Sequence, residues 1–185
     1  MAGAARVGSG AKALKISVRQ VVAREEPLVQ GLCGLLIEAV EYGASVGFLA
    51  PLAAQTAARY WEQALSSLDT GLYLWVAQSD GVVVGSVQLL PSEKENGLHR
   101  AEIQKLLVLR SHRGQGIARR LMQQAEAYAR SKDRTLLVLD TQAGSIAEAM
   151  YRHLGWQKAG EIPGYAAAPD GELQATAYYF KRISN

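Results

Sequence analysis

Several kinds of protein are excluded by what this chain does not contain. A single cysteine, Cys33, in 185 residues rules out an internal disulfide framework. It lies at helical spacing among Val29, Leu32, Leu36 and Val40, so it is expected to fill core space rather than act as a nucleophile. The histidines His99, His112 and His153 stand apart, with no cysteine or acid at ligand spacing, and no metal site is expected. No apolar run reaches the ~18 residues needed to cross a bilayer, and no signal-peptide core opens the chain. The expected setting is cytoplasmic, with no membrane partner. Charge of one sign is lacking too, since 20 lysines and arginines face 17 acids. A nucleic-acid surface calls for a basic stripe with stacking aromatics. Aromatic residues make up only 7% of the chain, so no nucleic-acid partner is expected.

What is present suits one domain with a sizeable core, because 49% of the residues are hydrophobic. Residues 1–13, MAGAARVGSGAKA, are small and Gly-rich and are set aside as a flexible leader. Residues 14–185 are expected to carry the fold. Leu14 to Val22 alternates and reads as a strand. A helix with Pro27 in its first turn runs to Gly43. An apolar loop, Gly43 to Leu52, leads to a second helical stripe of Ala54, Ala57, Ala58, Trp61, Leu65 and Leu68. LYLWVAQ and VVGSVQLL flank Asp80-Gly81, a strong hairpin signal.

In the next strand, His99 to Leu109, Ala101 and Ile103 take odd positions whereas Leu106 and Val108 take even ones. A bulge near Lys105 accounts for the change of parity; burial of both faces does so equally well. Gln115 to Lys132 is a helix by its apolar spacing. Arg134 to Thr141 reads as a strand buried in mid-sheet. Ser145 to Glu148 is a capping box opening a short helix that stops at Gly155. WQKAGEI and LQATAYYFKRI are the last strands, on either side of a turn-rich PGYAAAPDGE. With no repeat and no linker, the pattern is one α/β domain.

The densest basic cluster is Arg110, Arg113, Arg119 and Arg120, together with Gly114 and Gly116. It falls where a strand hands over to a helix. A helix N-terminus offers unpaired N–H groups and a positive dipole end, and glycines let a ligand approach the backbone. That combination suits a pyrophosphate; the competing reading is a solvated basic turn. The stretch lacks the third glycine of a dinucleotide fingerprint and the Gly-Lys-Ser/Thr of a P-loop. RGQGIA, Arg113 to Ala118, instead resembles the Arg/Gln-x-x-Gly-x-Gly/Ala motif of the GNAT superfamily of acetyl-CoA-dependent N-acetyltransferases. Val108 stands where that family has its strand valine, and AMYRHLGW, Ala149 to Trp156, resembles the family's second signature. Leu139–Trp156 and Glu161–Phe180 resemble the tabtoxin-resistance branch, which acetylates an amine of a small β-lactam-containing amino acid.

The resemblance implies a mixed, mostly antiparallel sheet of about seven strands, helices on both faces, and central strands splayed at the acetyl-CoA site. It implies that the amides of Gly114, Gln115, Gly116, Ile117 and Ala118, with Arg113 and Arg119, hold the pyrophosphate. Leu106, Leu107 and Val108 would offer a strand edge to the pantetheine, and the Val108 N–H would be the oxyanion donor. Many relatives contact the pantetheine with an asparagine; here that position is Gly144, leaving Ser145, which is also the helix N-cap. Glu102 and Asp140 are the candidate bases. Asp140 ends an apolar strand, where burial would raise its pKa. Tyr151 would be the general acid. Phe48 and Tyr165 are candidates for the acceptor pocket. The expected reaction is acetyl transfer by direct attack of a small-molecule amine, a β-lactam-type amino acid or an antibiotic being the acceptors the resemblance implies. A protein or peptide amine, or a non-catalytic CoA sensor, are the alternatives, and a homodimer is allowed.

Overall fold

The structure, a computed structural model, describes residues 15–68 and 70–183; the expected leader lies outside them. Seven strands form one sheet in the order β1-β2-β3-β4-β5-β7-β6. They are β1 (Ile16–Val21), β2 (Tyr73–Ser79), β3 (Val82–Pro91), β4 (Arg100–Val108), β5 (Leu136–Gln142), β6 (Gln157–Ala167) and β7 (Leu173–Arg182). Every pairing is antiparallel except β4 with β5. The helices are α1 (Glu26–Glu41), α2 (Ala54–Ser66), α3 (Ile117–Ser131) and α4 (Ile146–His153).

Two cores lie against the two faces of the sheet. On one, Leu32 and Leu36 of α1 and Trp61 of α2 close over Leu74, Val76, Val83 and Leu107. On the other, Leu121, Met122 and Ala125 of α3 and Tyr151 of α4 pack on Ala101, Ile103, Leu137 and Leu139. Each large side chain withdrawn from water contributes about 1.5–3 kcal/mol. Helices therefore cover both faces, as the family resemblance implied. Gly85 makes the second core possible at its tightest point. A Cβ there would meet the Leu107 carbonyl at 2.9 Å and the Ile117 side chain at 3.2 Å, so only glycine lets α3 approach β3 so closely.

The parity change in β4 is a bulge. Ser86 pairs with Leu107 but Gln88 pairs with Gln104, so β4 has one residue more than β3 across this interval. Lys105 absorbs it with a φ of 48°, and its carbonyl accepts a hydrogen bond from Ser86 Oγ at 2.9 Å. Before the bulge Ala101 and Ile103 enter the α3–α4 core; after it Leu106 and Val108 pack there, and Leu107 enters the α1–α2 core. The last hairpin corrects the sequence reading. PGYAAAPDGE is not one turn: β6 continues through Tyr165 to Ala167 with an irregularity between Ile162 and Ala166, and the chain reverses only beyond Ala167. Turn-type residues gave a misleading signal because an edge strand tolerates proline and glycine at a bulge.

Candidate active site

The sheet opens at its centre. β4 and β5 pair only from Arg100–Glu102 against Leu136–Val138. Past that point β4 stays with β3 as far as Val108, and β5 stays with β7 as far as Gln142, leaving a wedge between them. The Leu109 N–H donates to the Val84 carbonyl of β3 at 2.9 Å. Because successive residues of a strand direct their N–H groups to opposite sides, the Val108 N–H points the other way, into the wedge. Leu107 is paired with Ser86 of β3, so the edge presented to the wedge is that of Leu106 and Val108.

At the mouth of the wedge the chain turns into α3. Gly114 and Gly116 have φ of 74° and 73°, and Gly116 is the helix N-cap, with no side chain capping the first N–H groups. The helices α1 and α2 also start without a side-chain cap, so what sets this start apart is its pair of left-handed glycines. A Cβ built on either glycine meets nothing within 4 Å, so the space before the loop is open. Ile117 is buried and anchors the turn in the core, Ala118 is half-buried, and Gln115 and Arg119 are exposed. The basic cluster is partly used inside the protein. Arg113 Nε donates to the Val108 carbonyl at 3.2 Å, Arg120 donates to the Ile16 carbonyl at 2.9 Å, and Arg110 stacks 4.0 Å from the Tyr42 ring.

Glu102 and Asp140 lie on one face of the sheet. Glu102 pairs with Val138, and Asp140 is two residues further along β5, so the pleat turns both carboxylates toward the α1–α2 side. Their shielding is the reverse of what the sequence suggested. Asp140 is exposed, whereas Glu102 is half-buried and accepts a hydrogen bond from Gln104 Nε2 at 2.7 Å. The apolar run before Asp140 lines the opposite face through Leu137 and Leu139, so it does not enclose the acid. Tyr151 comes from the other side. It is buried against Trp156, with ring centroids 6.1 Å apart, and burial followed by the negative charge of Asp140 holds its hydroxyl pKa well above the ordinary value. Ser145 is engaged as the N-cap of α4: its Oγ accepts from the Glu148 N–H at 3.1 Å. Its acceptor role is therefore taken by the helix start, as expected of the N-cap position.

Residues the sequence reading did not single out complete the α1–α2 face. Tyr60 of α2 donates its hydroxyl to Gln88 Oε1 at 2.9 Å. Burial pushes the Tyr60 pKa up to about 12, so the hydroxyl keeps its proton. Lys105 Nζ stands 5.2 Å from the centre of the Tyr60 ring, and burial lowers its pKa against the attraction of Asp140 and Glu102. Tyr178 is paired in register with Asp140. The two aromatic candidates both reach this face: Phe48 meets Tyr60 edge-on at 5.5 Å, and Tyr165 meets Tyr178 at 5.7 Å. The signals for the missed residues were a lone amide in the apolar VVVGSVQLL and a lysine at the parity break. The loop before α2 also touches the last hairpin, where the Ala50 N–H donates to the Pro169 carbonyl at 2.9 Å. Among the described residues no group of His, Cys, Asp and Glu could hold a metal ion, and no helix is long and apolar enough to cross a membrane.

Comparison with known proteins agrees with this geometry. The model of the acetyltransferase (GNAT) family matches residues 29–156. The chain belongs to that family. It is 38% identical over 97 residues to N-acetyltransferase 8 of Rattus norvegicus, covering 50% of this chain and 43% of that protein. It is 36% identical over 95 residues to N-acetyltransferase 8B of Homo sapiens, covering 50% and 42%. The chain thus spans less than half the length of these relatives. Among solved structures, an N-acetyltransferase from Staphylococcus aureus superposes with a TM-score of 0.76 at 17% identity, covering 92% of this chain and 99% of that one. The yncA protein of Salmonella typhimurium, whose structure holds its cofactor acetyl-CoA, gives 0.74 at 15% identity, covering 92% and 95%. At these identities the superpositions show the fold.

Proposed function

We propose that the protein transfers the acetyl group of acetyl-CoA to the amine of a small molecule. The observation that carries the reading is the conjunction of the wedge and the uncapped glycine turn at its mouth. An open N-terminus with two left-handed glycines suits a pyrophosphate, and a strand edge facing an unpaired gap suits an amide-bearing arm. Bound there, acetyl-CoA would supply an activated thioester. The Gly114–Ala118 amides would hold the phosphates, Arg113 and Arg119 would add charge, and the edges of Leu106 and Val108 would hold the arm.

The rest of the chemistry belongs to the chain. The Val108 N–H is a fixed dipole aimed into the wedge and stabilises charge on a carbonyl oxygen without reorganising. Glu102 or Asp140 takes the proton that an ammonium must lose before it attacks. Tyr151 stays protonated at neutral pH because burial opposes its ionisation, and it donates its hydroxyl proton toward the departing sulfur. The small acceptor is supported by the bridge from Ala50 to Pro169, which joins the two loops beside the α1–α2 face, where a peptide acceptor would need an open channel. The likeness of Leu139–Trp156 and Glu161–Phe180 to the tabtoxin-resistance branch points the same way.

Two measurements test the reading together. Acetyl-CoA should raise the melting temperature, since a ligand present at about a hundred times its Kd stabilises the native state by ~2.7 kcal/mol. Gly116→Asp should abolish the rise by setting a side chain and a negative charge where the phosphates lie. Amines supplied with acetyl-CoA should release free CoA. An undiminished rise in the variant, or tight acetyl-CoA binding with no release for any amine, would contradict the proposal, the second result favouring a CoA sensor.

A further inference from the structure

Among the described residues, Lys105 is the half-buried lysine whose ammonium has no bonded partner. Lys181, equally shielded, donates to Glu126 Oε1 at 2.7 Å and to the Leu154 carbonyl at 3.1 Å. Lys158 is exposed and paired with Glu148 and Glu161, and Lys94 and Lys132 are exposed at the surface. Lys105 Nζ stands over the Tyr60 ring, 5.2 Å from its centre, and forms no hydrogen bond or ion pair among the described residues. Its place along β4 is specific. It lies three residues beyond Glu102 and three before Val108, on the left-handed bulge that turns its side chain to the α1–α2 face. Continued past Glu102 and Val138, the β4–β5 register sets Asp140 level with Gln104, next to Lys105. The charges of both Asp140 and Glu102 act on it. An amine of the chain itself therefore occupies the place where the ammonium of an acceptor would meet its base.

We infer that Lys105 is itself an acetyl acceptor: when no amine substrate is present, acetyl-CoA held in the wedge acetylates its side chain. This rests on the acetyl-transfer reading. Lys105 and Val108 are about 10 Å apart along an extended strand, and less across a bulge. A flexible four-carbon stem closes that gap from one end and the thioester from the other. The ammonium first gives a proton to Glu102 or Asp140. The Nζ lone pair then forms a bond to the thioester carbonyl carbon, whose oxygen is met by the Val108 N–H. The carbon–sulfur bond breaks, the sulfur takes a proton from Tyr151, and the nitrogen gives up a second proton. The products are acetyl-lysine, free CoA and one proton. Burial already lowers the pKa of Lys105, so its neutral, nucleophilic form is more populated than that of a surface lysine. The new amide carries no charge. Acetylation thus removes the cation beside the two carboxylates and fills the acceptor end of the wedge, so that a chain meeting acetyl-CoA without an acceptor caps its own site.

The test incubates the whole chain with acetyl-CoA in a buffer free of amines and follows each lysine by tryptic digestion and mass spectrometry. Trypsin does not cut after acetyl-lysine, so modification of Lys105 leaves residues 101–110 as one peptide, heavier by an acetyl group. Lys105 should be labelled at least ~10²-fold faster than the exposed Lys94, the kind of gain that comes from holding nucleophile and thioester together. Excess free CoA, which occupies the wedge without an acetyl group, should suppress labelling of Lys105 and leave that of Lys94 unchanged. CoA release without added amine should stop near one equivalent per chain and disappear in Lys105→Arg, which keeps the charge but offers no acceptor. A thermal shift with acetyl-CoA, measured on the same sample, separates the two readings. A shift accompanied by labelling of Lys105 no faster than that of Lys94 overturns the inference and leaves the acetyl-transfer reading standing. Labelling of Lys105 that excess CoA does not suppress also overturns it, because the acetyl group then arrives from solution. Neither shift nor labelling removes both.

Discussion

The capping acid of α4 offers a quantitative check on how the site's second wall is held. Glu148 is 4% exposed, yet it is ionised. Its Oε1 accepts from the Tyr179 hydroxyl at 2.7 Å and its Oε2 from the Gly144 N–H at 2.6 Å, with Lys158 Nζ at 3.1 Å. These partners, the Tyr179 and Gly144 bonds foremost, outweigh burial and bring the carboxyl pKa from an ordinary 4.5 down to about 2. At about 1.4 kcal/mol per pH unit, the ionised form contributes at most ~3.5 kcal/mol. Solvent on the Lys158 side trims this to about 2. Because the folded pKa is depressed, the contribution is present in full above about pH 5 and is lost as pH falls toward 2. Urea unfolding of the wild type and Glu148→Gln should therefore differ by about 2 kcal/mol at neutral pH. Glutamine cannot titrate, so the gap should narrow by about a quarter at pH 4 and about three-fifths at pH 3. A gap that stays constant across that range would refute the reasoning, because the cost would then come from lost shape or packing and not from the charge.

Two further outcomes concern the chemistry. Tyr151→Phe removes only a hydroxyl that is buried beside Trp156, so kcat should fall by roughly 10²–10⁴ with little change in melting temperature; a fall of under about tenfold would leave Tyr151 a packing residue. Glu102→Gln and Asp140→Asn should both slow turnover, and the acidic limb of kcat/KM against pH should disappear in only one of them. With Glu102 half-buried and Asp140 exposed, Glu102 is the expected one. Wild-type limbs and rates in both variants would show that the amine loses its proton to solvent.

The elements that were legible in the sequence are those whose signal is local. Asp80 and Gly81, with φ of 47° and 85°, make the two-residue turn that their identity announces. Ile117, Leu121, Met122 and Ala125 repeat at helical spacing and do line one core. Gly114 and Gly116 could be read because a left-handed backbone restricts the residue itself. Side-chain partnerships across strands were not legible. Gln88 and Gln104 are brought opposite one another only by the β3–β4 register, which depends on the bulge. The exposure of Asp140 was misjudged for a related reason. Leu137 and Leu139 announce a buried strand, but alternation gives the acid to the other face, and the width of the wedge there is a property of three strands together. The N-cap at Ser145 was recognisable, whereas its partner Glu148 bonds the N–H of Gly144 and not that of Ser145, a detail set by how β5 enters the turn.

The bulge at Lys105 links the features of the site to one another. A regular β4 would keep a single register with β3 and carry one parity from Ala101 to Val108. One extra residue exchanges the faces, so Leu107 joins the α1–α2 core while Leu106 and Val108 turn to the α3–α4 side. It also bends the bulged strand, and β4 leaves β5 three residues before it, after Glu102. The divergence frees the Val108 N–H from any strand partner on that side. The same residue, held at a φ of 48°, carries its ammonium to Tyr60 on the face where Glu102 and Asp140 stand. A lysine in this backbone state is strained by about 1 kcal/mol or more, and glycine would relieve it. That the strained position holds a long cation, directed inward beside two acids, accords with a role for its charge at the acceptor end of the wedge.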